Sequence, residues 1–92
     1  MSNARPTPEE LTEMAEEELA SACSLSWPEL KRITPWGDSF EGFAPSGRTV
    51  EVERRYLWAV EPEGGIVVEV EVRDASNRTG AEACALLAPP AG

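Results

Sequence analysis

The chain has 92 residues, 17 acids against 8 bases, a net charge of −9 and no histidine. That length holds one domain with one core and leaves little stability to spare. The acidity argues against nucleic acid, whose phosphates need a basic surface, and against anionic membrane, while the missing histidine removes Ser-His and Cys-His catalysis and His-based zinc sites.

The first expected element is a helix over 8–23. Thr7 caps it, Pro8 suits the first helical position, and Glu10, three residues after Thr7, completes a capping box. Leu11, Met14, Ala15, Leu19, Ala22 and Cys23 recur at helical spacing and form one apolar stripe. Glu9, Glu13, Glu16 and Glu17 fall mainly on the other side, so this helix carries much of the net charge. The acids repel one another at close spacing, and packing of the stripe must hold the helix. A second capping box, Ser26-Trp27-Pro28-Glu29, predicts one or two helical turns ending before Pro35; a short extended segment over 30–33 is the alternative.

After Gly37 the period changes to two. Strands are expected over 38–44, 49–60, 66–73 and 81–87, with a turn at Pro45-Ser46-Gly47-Arg48 and a loop at Glu61-Pro62-Glu63-Gly64-Gly65. Val50, Val52, Tyr56, Trp58 and Val60 share one face of the second strand; Ile66, Val68, Val70 and Val72 share one face of the third. Setting Val60 opposite Ile66 pairs Trp58 with Val68, Tyr56 with Val70, Arg55 with Glu71 and Glu53 with Arg73. Apolar pairs then occupy one face and opposite charges the other. Arg54 is the exception, a charge on the apolar face opposite Val72, expected to snorkel out or to pair with a helix glutamate. The outer face reads as charge-mixed.

The expected architecture is α+β: an N-terminal amphipathic helix packed on one face of a four-stranded antiparallel β-meander, in a single domain over 1–92 with flexible ends at 1–5 and 89–92. This layout resembles the cystatin-like arrangement, in which a helix lies in a curved sheet. The resemblance is one of architecture and implies no activity.

The two cysteines, Cys23 and Cys84, are expected as buried thiols in a reducing cytosol. The N-terminal stretch lacks a basic run followed by an apolar one, and no segment is long enough to span a membrane, so a cytoplasmic location is expected. An Ala/Gly/Arg/Pro-rich character hints at a GC-rich bacterial source. A Cys23–Cys84 disulfide would tie the helix end to the last strand. The strand carboxylates alternate with arginines and read as solvated ion pairs rather than as a general-acid pair. The segment Asp74-Ala75-Ser76-Asn77-Arg78-Thr79-Gly80 spaces oxygen ligands faintly like a calcium loop, but it lacks the later bidentate acid and reads as a hairpin connection. No metal, cofactor or catalytic residue is assigned.

The remaining candidates are aromatic and acidic. Trp27 and Trp36 stand beside prolines and either seal the core edge or, if exposed, form a contact patch for a partner together with Glu13, Glu16 and Glu17. Arg54, Tyr56 and Trp58 would line a ligand pocket in the concavity between sheet and helix. The leading expectation is a small acidic, non-catalytic protein-binding or accessory domain whose partner has a basic surface. The alternatives are a small-ligand-binding or enzymatic domain using the concavity, and a structural subunit formed by self-association.

Overall fold

A computed structural model describes residues 7–61, 64–74 and 79–89 of the chain. The expected flexible ends lie largely outside these residues, as does 75–78 of the faintly calcium-like loop.

Helix α1 spans Pro8–Cys23 and α2 spans Trp27–Ile33. Both begin in the expected capping boxes. Thr7 Oγ1 accepts from the Glu10 amide at 3.1 Å, and the Glu10 carboxylate accepts from the Thr7 amide at 3.0 Å. At α2 the Glu29 carboxylate accepts from the Ser26 hydroxyl at 2.9 Å and from its amide at 3.2 Å. Donors left over at each helix start are thereby satisfied locally. The region 27–33 is thus helical, and the extended alternative is excluded. Thr34, buried just past α2, donates its hydroxyl to the Leu30 carbonyl at 2.6 Å. The Thr34–Pro35 peptide bond is cis.

Four strands follow, β1 Gly37–Phe43, β2 Thr49–Trp58, β3 Ile66–Asp74 and β4 Gly80–Leu87, in one antiparallel sheet with order β1-β2-β3-β4. The β1–β2 turn closes when the Gly47 amide donates to the Ala44 carbonyl at 2.8 Å, and Gly47 takes a positive φ of 92° that glycine tolerates without strain.

The central hairpin differs from the sequence expectation by two residues. Trp58, not Val60, faces Ile66; Tyr56 faces Val68, Arg55 faces Glu69, and Glu51 faces Arg73. Arg54 faces Val70 rather than Val72. The cause lies in the loop. Ala59 donates to the Gly65 carbonyl at 2.9 Å and Gly64 to the Glu61 carbonyl at 3.1 Å, so the chain reverses earlier and Val60 sits in the connection, 93% exposed. A shift of two keeps every side chain on its face and changes only its partner.

The outer sheet face is acidic rather than charge-mixed. It carries Glu41, Glu51, Glu53, Glu69, Glu71 and Glu82 against Arg55 and Arg73. Glu71 has a glutamate on either side, Glu53 on β2 and Glu82 on β4. The arginines bridge this field: Arg55 reaches Glu69 at 3.0 Å and Glu53 at 3.2 Å, and Arg73 reaches Glu51 at 3.2 Å and Glu71 at 3.8 Å.

The inner face packs on the helices in two clusters. One joins Leu11 and Ala15 of α1 to Val50, Val52, Val70 and Val72; the other joins Ala22 and Leu30 to Tyr56, Ile66 and Val68. Leu19 touches both. Helix α1 lies over β3 and β4, where Ala81 and Ala83 are small enough to let it approach. The opposite side of the inner face carries Asp38, Phe40 and Arg54, and β1 is left exposed along almost its whole length.

The cysteine expectations need correction. Cys23 is half-buried and Cys84 exposed, and both are free thiols. Cys84 faces Glu69 on the outer side of the sheet, whereas α1 and Cys23 lie on the inner side, so the sheet separates the two sulfurs. No described helix is long and apolar enough to cross a membrane.

Candidate functional site

The uncovered β1 side carries three exposed aromatics and the Arg54–Asp38 pair. Gly37 starts the strand against β2: a Cβ there would stand 2.2 Å from the Arg54 carbonyl oxygen. Only glycine allows that approach. Just before it, the Trp36 carbonyl accepts from the Tyr56 amide at 3.1 Å and the Trp36 amide donates to the Ile33 carbonyl at 2.7 Å. These bonds hold the Trp36 backbone while its side chain stays 70% exposed. Phe43 at the other end of β1 is 73% exposed and Phe40 between them 39%.

Arg54 organises the inner side. Its Nε donates to Asp38 Oδ1 at 2.8 Å and its Nη2 to Asp38 Oδ2, a two-point contact across the β1–β2 pair. Its Nη1 lies 3.8 Å from Glu18 of α1. The guanidinium carbon sits 5.0 Å from the centre of the Phe40 ring, in cation–π range. The helix-glutamate expectation for Arg54 is met by Glu18, and Asp38 supplies the stronger partner.

The electrostatics follow from these contacts. The Arg54 hydrogen bond holds the Asp38 carboxyl below the usual aspartate range, outweighing partial burial. Burial pushes the Tyr56 phenol up, so it stays neutral. Asp38 is therefore a committed carboxylate and a poor base near neutral pH, and Tyr56 a poor acid. The set holds charge in place.

Beside it lies an open groove of about 380 Å³, bounded by Leu25, Arg32, Ile33, Trp36, Asp38, Arg54 and Tyr56. A second depression, about 340 Å³, flanks β1 on the outer face and is lined by Ser39, Glu41, Glu51, Glu53 and Arg73 among others. The edge thus has Trp36 and Phe40 beside the Arg54–Asp38 pair inside, and Phe43 beside the acids of β1 and β2 outside.

The structure brings some expected site residues together and separates others. Arg54 and Tyr56 share the groove with Trp36, whereas Trp58 is half-buried against the second core cluster. Trp27 is half-buried in that same cluster. Glu13, Glu16 and Glu17 are exposed on α1, which seats over β3 and β4. Asp38, Phe40 and Phe43 join the site without having been singled out. Asp38 and Phe40 stand two apart and share the inner face, whereas Phe43, three residues on, falls on the outer face; their exposure depends on where the helix sits. Among the described residues, no group of three or more cysteine, aspartate and glutamate side chains is placed to hold a metal ion.

No protein family, curated protein or solved structure matches the chain.

Proposed function

We propose that this domain is a non-catalytic protein-binding module that meets a cationic partner through its β1 side. The observation that carries the reading is the exposure of Trp36, Phe40 and Phe43 along one uncovered sheet edge of a chain with net charge −9. Exposed aromatics along the edge of a small domain are the residue types that anchor protein interfaces, and charge complementarity steers such encounters. The acids Glu13, Glu16 and Glu17 contribute to the long-range field, while contact belongs to β1. The committed Arg54–Asp38 pair suits a fixed recognition surface better than proton transfer.

Photo-crosslinking tests this reading. Benzoylphenylalanine is placed at Trp36, at Phe43 and, as a control, at the exposed α1 position Thr12. The expected result is one basic protein captured from positions 36 and 43 and not from 12, with yield falling as salt rises. Failure to capture any protein at either β1 position contradicts it.

The groove favours a second reading, binding of a small ligand against Trp36 and Tyr56. A compound that raises the melting temperature and quenches Trp36 fluorescence, with no protein adduct at position 36 or 43, would favour that reading over the first.

A further inference from the structure

We propose that β1 is an acceptor edge: an extended segment of the partner adds to it as a fifth strand, with basic residues alternating with apolar ones. The inference rests on the protein-binding reading and goes beyond it by specifying the partner's backbone conformation and side-chain pattern.

The backbone parity of β1 carries the argument. The Trp36 carbonyl accepts from Tyr56, and the Ala44 amide donates to the Arg48 carbonyl at 2.9 Å. Even-numbered residues therefore bond inward to β2. In an antiparallel pair hydrogen-bonded residues alternate, so Gly37, Ser39, Glu41 and Phe43 turn their amides and carbonyls outward. The β1–β2 register runs unbroken from Gly37 to Phe43, and this edge carries no proline, lysine or bulge, devices that block strand addition. Its inward-facing charge, Asp38, is neutralised by Arg54, and its outward one, Glu41, repels only an acidic strand. The other edge, β4, differs, because α1 lies along its inner flank.

The two flanks specify the side chains of the added strand. Residues beside Ser39 and Glu41 would project onto the outer face against Glu41, with Glu51 and Glu53 one strand further in, where lysine or arginine is favoured. Intervening residues would project inward beside Phe40 and Gly42. Gly42 has no side chain above Val50 and Val52, which leaves a notch for an apolar group. A second copy of this chain is a poorer occupant. It would bring Asp38 and Glu41 to an acidic edge and set one charge of −9 against another.

The test uses the full chain and a peptide of about eight residues alternating lysine and valine, a length typical of a strand. A peptide with the same residues in two blocks is the control. Amide hydrogen exchange is followed residue by residue. The expected result is binding of the alternating peptide with slowed exchange at Gly37, Ser39, Glu41 and Phe43, and weaker binding of the block peptide. Ser39→Pro removes an outward donor without touching the β1–β2 ladder and should weaken binding about tenfold at unchanged melting temperature. If that variant does not fold, Glu41→Lys carries the test, since it should weaken the basic peptide and leave the ladder intact. Equal binding of both peptides with unchanged β1 exchange would overturn strand addition while leaving a cationic-partner reading in place. Absence of any binding at low salt would overturn both. Concentration-dependent protection of the same amides without peptide would assign the edge to a second copy and overturn the proposal.

Discussion

Arg54 grips Asp38 through both carboxylate oxygens, across the β1–β2 pair on the inner face of the sheet. This contact, with the Phe40 ring beneath the guanidinium, ties the uncovered strand to the body of the sheet. It also keeps the charge on the inner face fixed, with Glu18 of α1 as the second partner of the guanidinium.

Removing that contact should loosen β1. Asp38→Asn is expected to cost about 0.5–1 kcal/mol at neutral pH, a modest loss because both groups are partly exposed. The pH dependence has a defined sign. The folded pKa of Asp38 lies below the ordinary value of 3.8, so its contribution is full above that value and is lost as pH falls through the folded pKa. The stability difference between the wild type and Asp38→Asn should therefore be constant near neutrality and shrink in acid. Chemical denaturation of both proteins across that range checks it.

The row Glu53–Glu71–Glu82 crosses three neighbouring strands with like charges side by side. Cross-strand repulsion of this kind is unfavourable. Glu71→Lys should stabilise the fold by roughly 0.5 kcal/mol at low salt despite losing the Arg73 contact, and the gain should fade at high salt. Urea melts at two ionic strengths measure it.

Leu11 of α1 is fully buried in the first core cluster. Leu11→Ala should cost about 3 kcal/mol, as deletions in a packed core do. The exposed Leu86→Ser should change stability by less than about 0.5 kcal/mol. Thermal melts of the two variants separate core from surface directly.

The two thiols should react at different rates. Cys84 is exposed on the outer face, while burial pushes the Cys23 thiol up and lowers its thiolate fraction. A maleimide reagent should label Cys84 first and Cys23 slowly, and mass analysis after mild oxidation should find no Cys23–Cys84 disulfide within the chain.

Most of the elements were legible because their signals are local. Thr7 and Ser26 each stand three residues before a glutamate, and both helices start there. Alternation in β2 and β3 assigned the faces correctly. It could not assign the partners, because glutamates and valines repeat every two residues. Arg55 finds a glutamate at 69 as readily as at 71, and Arg73 finds one at 51 as readily as at 53. The loop hydrogen bonds around Ala59 and Gly65 decide between them, and no periodicity encodes those. The site was legible only in part for a similar reason. Trp36, Arg54 and Tyr56 stood out as residue types, but the openness of β1 depends on α1 seating over the small alanines of β4, a tertiary choice.

The measurement that tests the account most directly is amide hydrogen exchange in the free protein across 37–43. An open acceptor edge predicts alternation: fast exchange at Gly37, Ser39, Glu41 and Phe43, slow exchange at Asp38, Phe40 and Gly42. Uniform slow exchange, unchanged on dilution, would mean that the chain itself covers this edge, and would contradict a β1 surface available to a partner.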